Sequence, residues 1–406
     1  MSHSREFDII VWGASGFTGR LVAEYLFKNY GRTDSLKWAM AGRNPAKLEE
    51  VRAEVADQSV PLVIADSQDE ASLQKMAQRA KVICTTVGPY AKYGSKLVAA
   101  CVENQTDYCD LAGEVQWMRR MIDQHHEAAK ANGTKIVHTC GFDSIPSDMG
   151  VYFMQKEAKK RTGKPAKQIK MRVRAFKGEI SGGTYASLGN VMAEAQKDKS
   201  IYKILTNPYG LNPEGEQSGL DKKDLQTVKY DKTVKSWIYP FIMAGINTKV
   251  VRRSNALMDY AYGKDFLYDE AVMSGDGIGG RIKGTLTALS MGVMMLAKPG
   301  SLIKKGVDAV LPKPGEGPDK KAREAGFYNL KFIATLEDSS TLNGKVTGDM
   351  DPGYGSTSKM MAESAICLAK DMLPNVGGML TPSVAMGDAL LKRLEEKAGL
   401  GFSIEG

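Results

Sequence analysis

The sequence predicts an α/β protein: a doubly wound parallel sheet in the first third, then a second, α+β domain. Three observations carry that prediction. Short β-branched apolar runs alternate with helical stretches from residue 7 to residue 140. Glycines at 13, 16 and 19 follow the first run directly. After Ser144 the rhythm changes to longer strands and longer loops. Alternating strands and helices with short connections require parallel pairing, and crossovers of fixed hand place helices on both faces.

The first unit is a strand over 7–12 (FDIIVW), a tight turn, and a helix over 17–28. It repeats as strand 36–41 with helix 45–56, strand 62–65 with helix 70–79, and strand 82–87 with helix 95–103. A strand over 108–111, a helix over 114–131 and a strand over 135–140 complete the series. Beyond it the pattern predicts strands over 170–177, 327–336 and 344–350, and helices over 185–196, 284–297 and 357–372. A last helix over 383–396 is expected to pack back on the first domain. The domain boundaries are therefore 1–144, 145–354 and 355–406, the last being C-terminal helices that return to the first domain. Pro/Gly-rich stretches at 207–216 and 311–318 read as surface excursions.

Composition narrows the class. A chain of 406 residues holds two or three domains. Hydrophobic residues at 43% and charged residues at 25% exclude global disorder and a multi-span membrane protein. Five scattered cysteines (84, 101, 109, 140, 367) with no C-x-x-C pair argue for reduced thiols, a cytoplasmic chain and no structural metal. Residues 1–6 are polar, without the apolar run of a signal peptide. The longest apolar stretch, 285–297, is too short to span a membrane.

The net charge of +8 is uneven: residues 1–150 carry 17 Lys and Arg against 19 Asp and Glu, which leaves 38 against 28 elsewhere. The densest basic run, 156–170, reads as a solvated surface, with an anionic partner (a phosphorylated carrier, coenzyme A or a lipid surface) as the alternative. It lacks the interleaved aromatics of a nucleic-acid site.

The glycines carry the chemistry. In Gly13-Ala14-Ser15-Gly16-Phe17-Thr18-Gly19, Gly13 permits the turn, Gly16 permits close approach of a pyrophosphate, and Gly19 lets the helix lie on the strand. Backbone N–H groups at Ser15, Phe17 and Thr18 then face the phosphates, as in a Rossmann domain. The second strand ends Ala41-Gly42-Arg43, without the acid that accepts an NAD ribose. Arg43 offers its guanidinium to a 2′-phosphate, so the expected cofactor is NADP. Asp66, ending the third strand, is placed to meet the adenine or to cap a helix. Gly88 and Pro89, after the fourth, are placed by the nicotinamide ribose. Tyr90 and Tyr93 follow, within reach of a substrate or packed in the core.

A third cluster runs from His138 to Asp148. His138 and Cys140 read as core residues, and Asp143 or Ser144 as a cap for the helix beginning at Pro146. Nothing here has metal-ligand spacing, and no G-x-S-x-G elbow occurs. Gly182-Gly183-Thr184-Tyr185 and 351–358 are two further turns into helices, suited to holding a carbonyl oxygen or a phosphate. The methionines at 291–295 suit either a plastic apolar surface or a core helix.

WGASGFTGR at 12–20, Ala41-Gly42-Arg43, VGPY at 87–90, YCDLAGE at 108–114, GFDSIPSDMG at 141–150 and DPGYGSTSKMM at 351–361 together resemble one family. It is the saccharopine dehydrogenase-like oxidoreductases, and within them the trans-acting enoyl reductase group. The resemblance implies an NADP-binding Rossmann domain, an inserted substrate domain before a returning C-terminal helix, and reduction of a carbon–carbon double bond in an acyl chain. In mycobacterial members that chain is attached to a polyketide synthase; the wider family includes lipid-droplet-associated proteins. No cluster of arginines stands ready to clamp a multi-carboxylate amino acid, so saccharopine is not the expected substrate.

Enoyl reduction needs a hydride at the β-carbon, a donor to the carbonyl and a proton at the α-carbon. Tyr90, Tyr93 and Tyr185 are the candidate donors. The expected activity is NADPH-dependent reduction of a lipid-like or polyketide acyl substrate, carrier- or CoA-linked. The alternatives are a saccharopine-type imine or carbonyl reductase, or a cofactor-holding protein bound peripherally to lipid. A homodimer is the default oligomer.

Overall fold

The computed structural model describes residues 5–178, 182–296 and 317–405. The side chain of Tyr185, those of 294–296, and most of the 311–318 excursion lie outside the described residues.

The chain opens with β1 (Phe7–Trp12), α1 (Phe17–Tyr30), β2 (Trp38–Gly42), α2 (Pro45–Val55), β3 (Leu62–Ile64), α3 (Glu70–Arg79) and β4 (Ala80–Thr85). The short α4 (Tyr90–Tyr93), α5 (Ser95–Glu103), β5 (Asp107–Cys109), α6 (Val115–Asn132), β6 (Lys135–Val137) and α7 (Ile145–Thr162) follow. All six residues of β1 are buried, because a parallel strand covered on both faces must be apolar throughout. Ile9 and Val11 join one core with Val22 and Leu26 of α1. Ile10 and Trp12 join the other with Leu73 of α3 and Val98 of α5.

The second part contains β7 (Gln168–Lys177), α8 (Gly182–Lys197), α9 (Lys199–Thr206), β8 (Lys229–Asp231), β9 (Ser236–Tyr239), α10 (Ala244–Leu257), β10 (Leu267–Gly275) and α11 (Gly277–Leu296). After the undescribed stretch come α12 (Lys320–Glu324), β11 (Phe327–Thr335), β12 (Thr341–Gly348) and a π-helical turn (Pro352–Ser356). The C-terminal elements are α13 (Thr357–Lys370), β13 (Gly378–Leu380), α14 (Pro382–Glu396) and β14 (Leu400–Glu405).

Two sheets result. The first is ordered β3-β2-β1-β4-β5-β6-β13 with parallel pairing throughout, so strand order reverses between β1 and β4. Ligands of such sheets bind outside the carboxyl ends of the strands at that reversal. The second is mixed, ordered β14-β12-β11-β7-β10-β9-β8. Ile169, Met171 and Val173 of β7 alternate inward with Tyr328, Leu330 and Phe332 of β11, meeting α7. The C-terminal elements serve both sheets: β13 pairs with β6, α13 lies on β1, β4 and β5, and β14 pairs with β12.

Several elements differ from expectation. The strand expected at 344–350 is Thr341–Gly348, and the helix expected at 284–297 starts seven residues earlier, at Gly277. α10 and β10 carried no clear pattern because their buried faces are charged. Arg253 of α10, buried, donates to the carbonyls of Leu211 (2.5 Å) and Met379 (2.6 Å), and Arg252 pairs with Asp221 at 2.5 Å. Of the basic run at 156–170, Lys156 pairs with Asp388 and Lys167 with Glu337.

Candidate active site

The site is built at the carboxyl edge of the first sheet. Gly13 has φ +90, and a Cβ there would lie 2.7 Å from Val87 Cγ2 and 2.9 Å from Thr86 Oγ1. A Cβ at Gly19 would collide with the Gly13 carbonyl. The β1–α1 turn is thus pressed against the exit of β4, and only glycine fits. α1 begins at Gly16 with no side-chain cap and no acid in its first turn. Its first N–H groups are free to receive an anion, and the helix field favours one.

Because the strands are parallel, Gly13, Arg43, Asp66, Gly88 and Pro89 all lie along this edge. Arg43 is exposed just past β2, and among the described residues its guanidinium has no hydrogen bond or ion pair. The cap of α2 is the next residue, Asn44, which accepts from Lys47 N at 3.1 Å. Asp66 does not cap α3; that role falls to Asp69, while Asp66 accepts from Gln68 N at 2.9 Å.

One contributor was missed in the sequence. Phe17, first residue of α1, meets the Tyr354 ring edge-on at 4.7 Å, and the Arg323 guanidinium lies 5.6 Å from its centroid. A Cβ at Gly317 would come within 2.5 Å of the same ring. The segment leading into α12 therefore passes over the opening of α1, 300 residues away in sequence. No local signal marks that contact.

The three tyrosines differ in placement. Tyr90 is buried against Trp117, with ring centroids 5.5 Å apart. Its hydroxyl donates to Thr85 O (3.2 Å) and accepts from Leu111 N (3.1 Å), so it braces two loops. Burial, then the neighbouring Asp110 carboxylate, push its phenol well above the usual range. Tyr93 is 36% exposed, and among the described residues its hydroxyl is unengaged. Tyr185 contributes described backbone near the start of α8 only.

Glu114, fully buried, accepts from the backbone N–H of Tyr90 (2.7 Å) and Ala91 (3.1 Å) and from Ser187 Oγ (3.1 Å). Through Ser187 it ties the first sheet to α8. Asp110 binds His138 Nδ1 at 2.7 Å, Tyr108 OH at 2.9 Å and the N–H groups of Ala112 and Thr139. His138 is thus held in the core, as is Cys140.

The expected cap of α7 is not made. Ser144 stands at the N-cap, but its hydroxyl donates to Asn247 Oδ1 at 3.0 Å, and Asp143 is directed elsewhere. The Asp143 carboxyl lies between Gly113 and Gly141: Cβ atoms built there would be 3.8 and 3.2 Å from its two oxygens. It keeps partial solvent access, and among the described residues no other side chain bonds to it. Burial is the main cause that raises it to about 7, with Asp110 adding to the shift and its own N–H opposing it. Across from it the second domain contributes the π-helical turn, capped by Asp351, which accepts from Tyr354 N (2.9 Å) and Gly355 N (2.8 Å). The Tyr354 hydroxyl accepts from Gly182 N at 3.1 Å, joining that turn to α8.

Residues 9–137 match the family described as the saccharopine dehydrogenase NADP binding domain. Fold and site therefore define an NADP-dependent oxidoreductase, and the open glycine-bounded start of α1, beside an unpartnered Arg43, fits that cofactor. The chain is 40% identical over 408 aligned positions, 96% of each chain, to a Mycobacterium tuberculosis protein named as a candidate trans-acting enoyl reductase. It is 37% identical, over 97% of each chain, to the trans-acting enoyl reductase of Mycobacterium ulcerans. Apo saccharopine dehydrogenase (L-Glu forming) from Saccharomyces cerevisiae shares the fold, with a TM-score of 0.56 at 12% identity over 98% of this chain and 99% of that one. The chain belongs to the saccharopine dehydrogenase-like oxidoreductases and, within them, to the trans-acting enoyl reductases.

Proposed function

We propose that the chain reduces the carbon–carbon double bond of an α,β-unsaturated acyl thioester, carried on coenzyme A or a carrier, with Asp143 supplying the proton. The observation that carries this reading is a half-buried carboxyl, raised to about 7, at the edge where the cofactor loops converge. When bound, the reduced nicotinamide supplies hydride to the β-carbon. Protonated Asp143 gives its proton to the α-carbon, and the surrounding Gly113 and Gly141 leave room for substrate to approach it. Tyr93, and Tyr185 at the opening of α8, are the proposed donors to the thioester carbonyl. Tyr90 is assigned to holding the loops in place, its hydroxyl being spent on Thr85 and Leu111.

The test follows oxidation of NADPH with enoyl-CoA thioesters, carrier-linked enoyl chains, ketones and amino-acid imines. Turnover is expected with the enoyl thioesters alone. Asp143→Asn is expected to lower kcat about 100-fold while NADPH affinity stays unchanged. A proton donor works only while protonated, so the wild-type rate should be level below about pH 7 and fall above it. The variant's residual rate should lose that limb. An unchanged kcat in Asp143→Asn removes the assigned proton donor, and turnover of imines alone replaces the acyl reading with a saccharopine-type one.

A further inference from the structure

Helix α11 turns its apolar side outward. Ile278, Ile282, Leu286, Leu289 and Val293 are 78, 56, 63, 62 and 52% exposed. Their spacing of four, four, three and four residues makes one stripe along the helix. The side that meets the sheet is glycine instead. A Cβ at Gly280 would collide with the Gly275 carbonyl, and one at Gly284 would lie 2.8 Å from Ser274 Oγ. A surface helix of a water-soluble domain ordinarily buries the aliphatic stripe and exposes the polar one.

Its polar groups are adapted to leaving water. Thr285, Thr287 and Ser290 donate their hydroxyls to the carbonyls of Arg281 (2.8 Å), Lys283 (3.0 Å) and Thr287 (2.8 Å) in the preceding turn. Hydroxyls satisfied within the helix lower the cost of placing it in an apolar medium. The helix carries two cations, Arg281 and Lys283, and no carboxylate. The β8–β9 hairpin beside it adds exposed Lys229, Lys232 and Lys235, and Arg281 lies 5.2 Å from the Trp237 ring of that hairpin. The nearby acids are engaged: Asp231 with Arg172 at 2.8 Å, Asp276 with the hydroxyl of Tyr230 at 3.0 Å.

We infer that α11 and the β8–β9 hairpin form a docking surface for an anionic lipid bilayer, the stripe entering the headgroup boundary and the lysines lying over the phosphates. Among the described residues no helix is long and apolar enough to cross a membrane, so α11 lies in the interface. Charge selects lipid over a second copy of the chain, because self-association through this face would bring its five cations against five like them. The placement also deepens the acyl reading, on which this step alone rests. Gly275 and the exposed Phe176 each stand three residues past the paired Val272 and Val173, on the same sheet edge. A Cβ at Gly178, two residues further, would lie 2.5 Å from Pro352 of the active-site turn. An acyl chain leaving the bilayer at α11 meets the cleft without crossing the sheet.

Flotation of the full-length protein with vesicles of phosphatidylcholine, alone or mixed with phosphatidylglycerol, tests the surface without requiring turnover. Binding is expected to the mixed vesicles, weakening as salt is raised. L286E/L289E is expected to weaken it more than about tenfold, with NADPH affinity and thermal unfolding unchanged. R281E/K283E is expected to weaken it about tenfold and to flatten the salt dependence. Absence of the wild type from the vesicle fraction overturns the inference, as does undiminished binding by L286E/L289E. A wild-type dimer in sedimentation velocity that L286E/L289E dissociates, without vesicle binding, assigns the stripe to a second copy. Failure of the reductase assay with intact vesicle binding leaves this surface standing and removes only the acyl reading.

Discussion

α1 and α4 follow adjacent strands of one sheet, and they satisfy their first N–H groups in opposite ways. At α4 the donors of Tyr90 and Ala91 end on the carboxylate of Glu114, which is fully buried. At α1 there is no cap, no acid in the first turn, and a glycine at each approach. Donors at a helix start must be met by something. A carboxylate supplied by the chain makes the start permanent and structural. A start left open at the point where strand order reverses is met by an anion from outside. The same field thus serves architecture in one place and cofactor binding in the neighbouring one.

Making the first like the second breaks the comparison most severely. Ser15→Asp puts a carboxylate beside the N–H groups of α1, where it occupies the donors and repels phosphate. NADPH affinity, read by the quenching or enhancement of nicotinamide fluorescence, should fall about 100-fold or more. Thermal unfolding of the apoprotein should hold or rise, because the new acid caps the helix. A loss of fold with the loss of affinity would mean that the open start is a packing device after all.

The open start was legible in the sequence and the closed one was not, and the reason is distance along the chain. Gly13, Gly16 and Gly19 report a close approach between a strand and the helix that directly follows it, so spacing alone reveals it. The buried runs of β1 and β2 are equally local. Glu114 closes a helix 24 residues upstream, and nothing in its neighbourhood says so. Asp143 owes its raised affinity for a proton to a loop about 30 residues earlier, and Arg323 reaches Phe17 from the far end of the second domain. In sequence Asp143 looks like a helix cap, and Tyr90 like any aromatic after a strand. α10 stayed hidden because Arg252 and Arg253 sit where an apolar face was sought, each satisfied by carbonyls from distant loops. β10 stayed hidden because Glu270 interrupts its alternation, bonded in the core to Tyr268 OH at 2.7 Å and Asn247 Nδ2 at 3.0 Å.

Opening the closed start is the complementary change. Glu114→Ala strands two backbone donors and the hydroxyl of Ser187, and denaturant unfolding should show a loss of about 2 kcal/mol. Glu114→Gln, which keeps an acceptor, should recover about half of that. NADPH affinity in both should stay within about threefold of wild type, since α1 is untouched. A large loss of affinity with unchanged stability would instead place Glu114 at the cofactor.

The smallest effect tests whether the open start is tuned to one dinucleotide. The N–H groups of α1 face the pyrophosphate that both cofactors share, so discrimination must come from the neighbouring strand. Arg43 stands at the end of β2 with no partner of its own, and a guanidinium so placed can grip a 2′-phosphate without first breaking another bond. In an exposed position that grip is screened and modest. Arg43→Glu should therefore weaken NADPH about tenfold to thirtyfold, with most of the loss disappearing at high salt, while NADH affinity changes less than about twofold. Equal losses for the two cofactors would move the 2′-phosphate contact away from β2. The cations over Phe17, Arg20 and Arg323, which lie 5.5 and 5.6 Å from its ring, would then be the next to change.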